Sequence, residues 1–288
     1  MLYESPHVWV DSDDGVATLW FAFPGEPTNA LSPTRLAEIA RALDAVLPRV
    51  DFDALVVRSA RPDGFCAGYD PDWLAGLATD SDLAGAARFG QAVLNRLAAA
   101  EMVTVALIEG PCVGPGLELA LACDYRLAVA GPDSWLGFPD AAQDVLPCWG
   151  GSVRAPGMVD GTLRTAREAH RAGIVTDAFS ARRTKIELAL FLDRVRAKSR
   201  KPRRCGETQE AFARERAAFL LTASGGRQPP VPLHLRNEDS GLTPPARQDV
   251  AVAGESPTLA ELAVESALRS HLAYVLSAAL VLPLESYF

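Results

Sequence analysis

In the first part of the chain, the spacing of hydrophobic and polar residues alternates between the periodicity of a β-strand and that of an α-helix. The segments HVWVDSD and GVATLWFAF predict two strands joined by a turn at Asp13–Gly15. In the next segment, Ser32 and Pro33 fit an N-cap and a first helical position. The apolar residues of this predicted helix recur on one face: Leu36, Ile39, Ala40 and Leu43. A β-branched run at 54–60 then predicts a buried strand.

The same alternation continues to about residue 131. It predicts a helix at 82–100, a buried strand at 102–110, a helix at 116–124 and a strand at 125–131. This order predicts an α/β fold with largely parallel sheets and crossover helices. Because sites in such folds gather where strands end, the loops DGFCAGYD and GPCVGPG become the candidate site.

Beyond about residue 176 the pattern becomes less regular. A basic run lies at 194–204, and a segment rich in Pro, Gly and polar residues lies near 225–246. Ser256 then fits the N-cap of a closing helix. We therefore predict a core at 1–178 and a divergent, mainly helical region at 179–288.

Composition narrows the class of partner. The 288 residues are 49% hydrophobic, with 28 Lys and Arg against 36 Asp and Glu, which gives a net charge of −8. An acidic protein is poorly suited to nucleic acid or an anionic membrane. Five cysteines without a CxxC pair indicate reduced thiols, and their spacing from the histidines predicts no metal site. The first residues lack the pattern of a signal peptide, so a cytoplasmic protein is expected.

Four motifs occur in the order DGVATLWFAFPGEPTNALS, GFCAGYD, GPCVGPGLELALACDYRLAV and WLGFPDAAQDVLPCWGGSVR. Together they resemble the motifs of the crotonase family, also called enoyl-CoA hydratase/isomerase. The resemblance covers roughly residues 7–176. It implies a spiral of ββα units, with C-terminal helices that help to build homotrimers or paired trimers. It also implies an acyl-CoA thioester substrate and a role in fatty acid metabolism, with no cofactor other than the coenzyme A of the substrate.

The resemblance implies two backbone N–H donors for the thioester oxygen. Carried over by position, they are the N–H of Ala67 and the N–H at position 115. Proline stands at position 115, so that donor is lost, although proline suits a helix start. The other residues that the resemblance assigns to the substrate are Gly68, Tyr69, Asp70 and Gly116, with a weaker assignment of Asn29, Ala30 and Leu31 to CoA.

The same resemblance makes Glu118 and Asp140 the catalytic acid/base pair. Glu118 is an acid among apolar residues of a predicted helix, although an acid at a helix start is also common as a dipole partner. Asp140 stands where hydratases of the family carry the longer Glu, and a turn residue is an equally good interpretation. Asp144 is a weaker substitute.

Several interpretations stay open at this stage. Two carboxylates allow hydration of a 2-enoyl-CoA, and one allows double-bond isomerisation. Because of Pro115, a protein that binds acyl-CoA or a partner with weak or no catalysis is the alternative, and a decarboxylase, thioesterase or carbon–carbon hydrolase is a third. Tyr69, Cys148 and Trp149 replace small residues of the family, which predicts either a shortened acyl pocket or surface aromatics. The basic run fits CoA phosphates or a solvated helix end.

Overall fold

The computed structural model describes residues 1–24, 29–61, 64–70, 72–73, 79–143, 145–196 and 207–225. Four sequence predictions lie outside these ranges. They concern Asp144, residues 197–204 of the basic run, the Pro-rich segment after residue 225 and the helix expected from Ser256. Most of the described residues of 179–288 are helical. The boundary at 178 stays a prediction.

Seven of the described strands form one mixed sheet. They are β1 (Tyr3–Glu4), β2 (Val8–Asp13), β3 (Val16–Phe21), β4 (Ala54–Ser59), β5 (Val103–Glu109), β7 (Tyr125–Val129) and β10 (Asp177–Phe179). They lie side by side in this order. Strands β1 to β3 pair antiparallel, and the pairs from β3 onward are parallel. The predicted hairpin turn is confirmed, because Asp13 pairs with Val16 across a tight turn.

A smaller sheet of three short strands lies beside the candidate loops. Its strands are β6 (Cys112–Val113), β8 (Trp135–Gly137) and β9 (Leu163–Thr165). β6 pairs parallel with β8, and β8 pairs antiparallel with β9. Strands of two or three residues are too short to show a period-2 pattern, so the sequence does not predict this sheet.

The described helices are α1 (Pro33–Val46), α2 (Asp80–Ala98), α3 (Pro115–Ala122), α4 (Gly151–Arg154), α5 (Ala166–Arg171), α6 (Thr184–Arg196) and α7 (Gln209–Gly225). The predicted start of α1 is confirmed, because the Ser32 side chain accepts from the Arg35 N–H and Pro33 occupies the first position. α2 begins earlier than predicted, because Thr79 and Asp82 form a capping box. Within the described ranges, no helix combines the length and the apolar character needed to cross a bilayer.

Helices cover both faces of the large sheet. α1, α2 and α3 contribute to a core that includes Leu19, Leu43, Leu94 and Leu117. On the other face, Phe191, Leu192 and Val195 of α6 pack against Val56, Val105 and Leu127. The central strands are therefore buried on both faces, as expected for parallel strands in an α/β protein. The loops after β4 and β5 leave this sheet at adjacent positions.

Candidate functional site

The loops that follow β4 and β5 are hydrogen-bonded to one another. Cys66 and Cys112 form a parallel bridge, in which the Cys66 N–H donates to the Pro111 carbonyl at 2.9 Å and the Val113 N–H donates to the Cys66 carbonyl at 2.9 Å. Gly114 follows with a φ of 52°, a conformation that favours glycine. The two glycine-rich motifs predicted from the sequence therefore meet at one place, where α3 begins.

The Ala67 N–H is already engaged, and this corrects its assignment as an oxyanion donor. It donates to the Asn29 carbonyl at 2.8 Å. Tyr69 lies two residues later and forms a parallel bridge with Leu31, in which Gly68 and Asp70 make the hydrogen bonds to Leu31.

The Tyr69 N–H therefore points away from Leu31, toward the side where Cys112 pairs. No acceptor for the Tyr69 N–H is present among the described residues. Gly68 has a φ of 139°, which re-aims the chain between Ala67 and Tyr69. The sequence motif alone does not reveal this change, which makes the Tyr69 N–H the candidate donor of this loop.

Pro115 is the first residue of α3 and has no N–H to offer. Gly116 follows it in the first turn, where N–H groups have no acceptor within the helix. A Cβ built on Gly116 would lie 2.5 Å from the Cβ of Cys66, so only glycine lets α3 approach the neighbouring loop this closely. The predicted loss of a donor at position 115 thus agrees with the observed helix start.

Glu118 lies in the first turn of α3 and is fully buried. Its Oε1 accepts from the Trp149 N–H at 2.7 Å and from the Gly151 N–H at 2.9 Å. Its Oε2 is buried and has no hydrogen-bond partner among the described residues. Because burial in apolar surroundings disfavours the charged form, the pKa of Glu118 is raised to about 8. The nearby Glu215 carboxylate adds to this rise, and the two N–H donors and Arg154 oppose it.

The paired glycines 150 and 151 allow the turn to reach Glu118. Gly150 has a φ of 114°, and a Cβ on Gly151 would lie 2.7 Å from atoms of Phe138 and Pro147. Side chains at these two positions would push the turn away from α3. The glycine pair of the fourth motif therefore lets the backbone N–H groups of this turn reach the Glu118 carboxylate of the third motif.

Asp140 lies in a short 3-10 turn, Pro139–Gln143, after β8. A Cβ on Gly114 would lie 3.9 Å from Asp140 Oδ2 and 3.9 Å from the Gly68 Cα. Asp140 also acts electrostatically on the Tyr69 hydroxyl, as does Glu118. The structure thus places Asp140, Glu118 and the Tyr69 loop near one another, and the catalytic roles of the two acids stay a prediction.

Three bulky or polarisable side chains pack against one another beside these acids. The Tyr69 hydroxyl lies 3.3 Å from Cys148 Sγ, and the Tyr69 ring meets the Trp149 ring edge-on at 5.3 Å. Trp149 is fully buried, so it is not a surface aromatic. Burial, with the nearby acids, raises the pKa of Tyr69 and of Cys148 well above the ordinary values, so both groups stay neutral near pH 7.

Asp70 braces the loop that carries Tyr69. Its Oδ2 pairs with Arg35 Nη2 at 2.8 Å, and its Oδ1 accepts from the Asp72 N–H at 3.0 Å. Arg35 Nη1 also donates to the Ala30 carbonyl at 3.0 Å. Arg35 thus ties the turn at 29–31 to the candidate site.

The side chains of Asn29 and Leu31 are fully buried, which corrects the expectation that they contact CoA. Asn29 Oδ1 accepts from the Phe23 N–H at 2.8 Å, and its Nδ2 donates to Ser59 Oγ at 2.8 Å and to the Phe65 carbonyl at 3.0 Å. Leu31 belongs to the main core. Ala30 is partly exposed, so its contact with CoA stays a prediction.

Asn29→Ala is expected to lower the free energy of unfolding by about 2–4 kcal/mol, because it leaves several buried groups without partners. Urea unfolding followed by circular dichroism measures this loss. Ser59→Ala, which removes one of these partners, should cost only about 1 kcal/mol. A loss below about 1 kcal/mol for Asn29→Ala would contradict the role of Asn29 as the anchor of this turn.

Of the basic run, Arg194 and Arg196 fall in the described part of the chain. Arg196 Nη2 pairs with Asp53 at 2.9 Å, and Arg194 lies over the Phe191 ring at 5.2 Å. Both contacts lie within the protein, and the predicted contact of the basic run with CoA phosphates stays a prediction. Among the described residues, no group of three or more His, Cys, Asp or Glu side chains is arranged to hold a metal ion.

The fold and site define a crotonase-fold protein. Solved structures with similar folds include an enoyl-CoA hydratase from Bacillus anthracis, with a TM-score of 0.60 and 22% identity over 66% of this chain and 76% of that one. A putative enoyl-CoA hydratase from Streptomyces avermitilis has a TM-score of 0.64 and 23% identity over 77% of this chain and 87% of that one. At these identities the likeness establishes the fold.

The profile of the family described as enoyl-CoA hydratase/isomerase matches residues 11–205. The chain belongs to this family. It is 35% identical over 156 residues to the fatty acid oxidation complex subunit alpha of Aliivibrio fischeri, and this alignment covers 54% of this chain and 23% of that relative. It is 34% identical over 191 residues to the corresponding subunit of Shewanella halifaxensis, and this alignment covers 62% of this chain and 27% of that relative. The chain thus matches about a quarter of the length of these relatives.

Proposed function

We propose that this protein binds an acyl-CoA thioester and stabilises its enolate, as a hydratase or isomerase of enoyl-CoA. The observation that carries this proposal is the Glu118 carboxyl group. One of its oxygens is held by two N–H groups, and the other is buried without a partner among the described residues. A buried, unpartnered acid beside a second acid is a candidate for proton transfer.

In the proposed reaction the thioester oxygen accepts from the Tyr69 N–H while negative charge develops on it. The positive end of α3 faces the same region and favours that charge. For hydration, Glu118 activates a water that attacks C3 of a 2-enoyl-CoA, and Asp140 delivers the proton to C2. For isomerisation, Glu118 alone removes a proton from C2 of a 3-enoyl-CoA and returns it at C4.

Incubation with crotonyl-CoA and with a 3-enoyl-CoA, followed by mass spectrometry and chromatography, tests this function. A mass gain of one water identifies hydration, and a change of retention without a change of mass identifies isomerisation. Binding of CoA thioesters without either product would instead support the second candidate, a binding protein with weak or no catalysis. Pro115 is the observation that favours this candidate, because it removes a backbone donor from the site.

Asp140→Asn is expected to separate the two reactions. Hydration should fall by about 10²-fold or more, because the proton for C2 is lost. Isomerisation should fall far less, because Glu118 carries its proton in both directions. The ratio of the two rates on one enzyme preparation measures the effect. Asp133→Asn, at an exposed acid in the preceding turn, serves as the control, and an equal loss of both reactions in Asp140→Asn would rule out the division of roles.

A further inference from the structure

A second buried carboxylate lies behind Glu118, on a helix that none of the four motifs includes. Glu215 of α7 is 5% exposed. Its Oε1 accepts from the Ser152 N–H at 2.9 Å and from Ser152 Oγ at 2.6 Å. Its Oε2 accepts from Gln91 Nε2 of α2 at 2.7 Å. Glu215 therefore holds α2, α4 and α7 together through hydrogen bonds.

The two carboxylates share the turn at 149–152. The N–H groups of Trp149 and Gly151 donate to Glu118, and the N–H of Ser152 donates to Glu215. A shift of Glu215 must therefore move the donors that orient Glu118.

The donors are divided unequally between the two acids. Both oxygens of Glu215 accept hydrogen bonds, whereas Oε2 of Glu118 has no partner among the described residues. Hydrogen bonds to a carboxylate favour its charged form. When one proton is available to the pair, it therefore resides on Oε2 of Glu118 and the negative charge resides on Glu215.

The other ionisable groups around this pair do not reverse that distribution. Tyr69 and Cys148 face Glu118 and are neutral near pH 7. Arg154 acts on both acids, but it also lies 3.4 Å from Glu207 and donates to Asn95 at 2.6 Å.

Two further charged groups act on the neighbours of the pair. Asp140 acts on Tyr69, and Arg216 donates to Oε1 of Gln91. Neither is among the groups that shift the pKa of Glu118.

We propose that Glu215 is a positioning residue for Glu118. Through Ser152 it fixes the turn whose N–H groups hold Glu118, and its negative charge keeps a proton on the unpartnered oxygen of Glu118. The consequence for the reaction rests on the proposed function, since Glu118 must lose this proton before it can act as a base. The distribution of the proton does not rest on that function.

Infrared difference spectra between pH 6 and pH 9.5 test the proposal without any turnover. The band of protonated Glu118 is the carboxylic acid band that Glu118→Gln removes. We expect this band to titrate near pH 8 in the unmodified protein. In Glu215→Gln, which removes the charge and keeps an acceptor for Ser152, the titration should move down by about 1 pH unit or more. Glu215→Met, of similar length and without charge, should move it in the same direction if the amide is not tolerated.

Glu210→Gln, at an exposed acid of the same helix, is the matched control and should leave the band unchanged. An unchanged titration in Glu215→Gln or Glu215→Met, or no Glu118-dependent acid band in the unmodified protein, would overturn the proposal. If the protein turns over an enoyl-CoA, the rising limb of kcat/KM against pH should shift with the band. Glu215→Asp should keep that limb near its original pH while kcat falls. Absence of turnover with a shifted band would contradict the proposed function and leave the role of Glu215 supported.

Discussion

Replacement of Glu118 by glutamine is expected to lower turnover of an enoyl-CoA by about 10³-fold. The amide keeps an oxygen for the Trp149 and Gly151 N–H groups, so the turn should stay in place. It cannot accept or return a proton, and general acid–base catalysis typically contributes about 10²–10⁴-fold. Steady-state kinetics with crotonyl-CoA and a 3-enoyl-CoA measure the loss, and the affinity for CoA thioesters should change little.

The same variant should change how stability depends on pH. The pKa of Glu118 is about 8 in the folded protein against 4.5 in the reference state. Between these values the folded state keeps a proton that the unfolded state releases, so stability falls as pH rises from about 4.5 to 8. Glu118→Gln lacks this decline. It should therefore be more stable than the unmodified protein at pH 9 by about 2 kcal/mol, and by less at pH 5.

Thermal unfolding at pH 5 and pH 9 measures this difference. Glu101→Gln, at an exposed acid, is the control for the loss of one negative charge. An equal effect of Glu118→Gln at both pH values would show that the pKa of Glu118 is not raised. Full activity in the variant would show that Glu118 is not the catalytic group.

Replacement of Pro115 by glycine is expected to raise turnover by about 10–10²-fold. Glycine supplies an N–H at the first position of α3, and one oxyanion donor is typically worth about 10²–10³-fold. The gain should be smaller than the full value because the neighbouring loop is adapted to proline. Pro115→Ala also restores an N–H, so it should raise kcat in the same direction.

Pro33→Gly is the matched control for Pro115→Gly. Pro33 is likewise the first residue of a helix, so its replacement has a similar effect on backbone entropy without adding a donor at the site. Unchanged or lower kcat in both variants at position 115, with CoA binding intact, would show that a missing donor does not limit this site.

The parts of the fold that the sequence predicted are those with strong local signals. Ser32 and Pro33 define the start of α1 through a cap and a fixed φ, and the Asp13–Gly15 turn follows from residues that tolerate positive φ. The sheet of β6, β8 and β9 escaped prediction because its strands are very short and form through contacts distant in sequence.

The candidate site divides in a similar way. Glu118 could be named because an acid in an apolar helix is visible as a residue type, whereas Asp140 could be named only through the resemblance of its motif to that of the family. The candidate backbone donor moves from Ala67 to Tyr69 because of the backbone conformation at Gly68, which the side chains of the motif do not encode directly. Glu215 lies about a hundred residues after Glu118 and outside every recognised motif, so only the packing of α7 reveals it.

Deuterium exchange at C2 of butanoyl-CoA in D₂O tests the central claim most directly, because it measures enolate formation without depending on the final product. We expect mass spectrometry to show incorporation of deuterium with the unmodified protein, faster incorporation with Pro115→Gly and none above background with the double variant Glu118→Gln, Asp140→Asn, because both acids move a C2 proton in the proposed reactions. Bound butanoyl-CoA that gains no deuterium with the unmodified protein or with Pro115→Gly would contradict the claim that Glu118 and the Tyr69 N–H form an enolate-stabilising site.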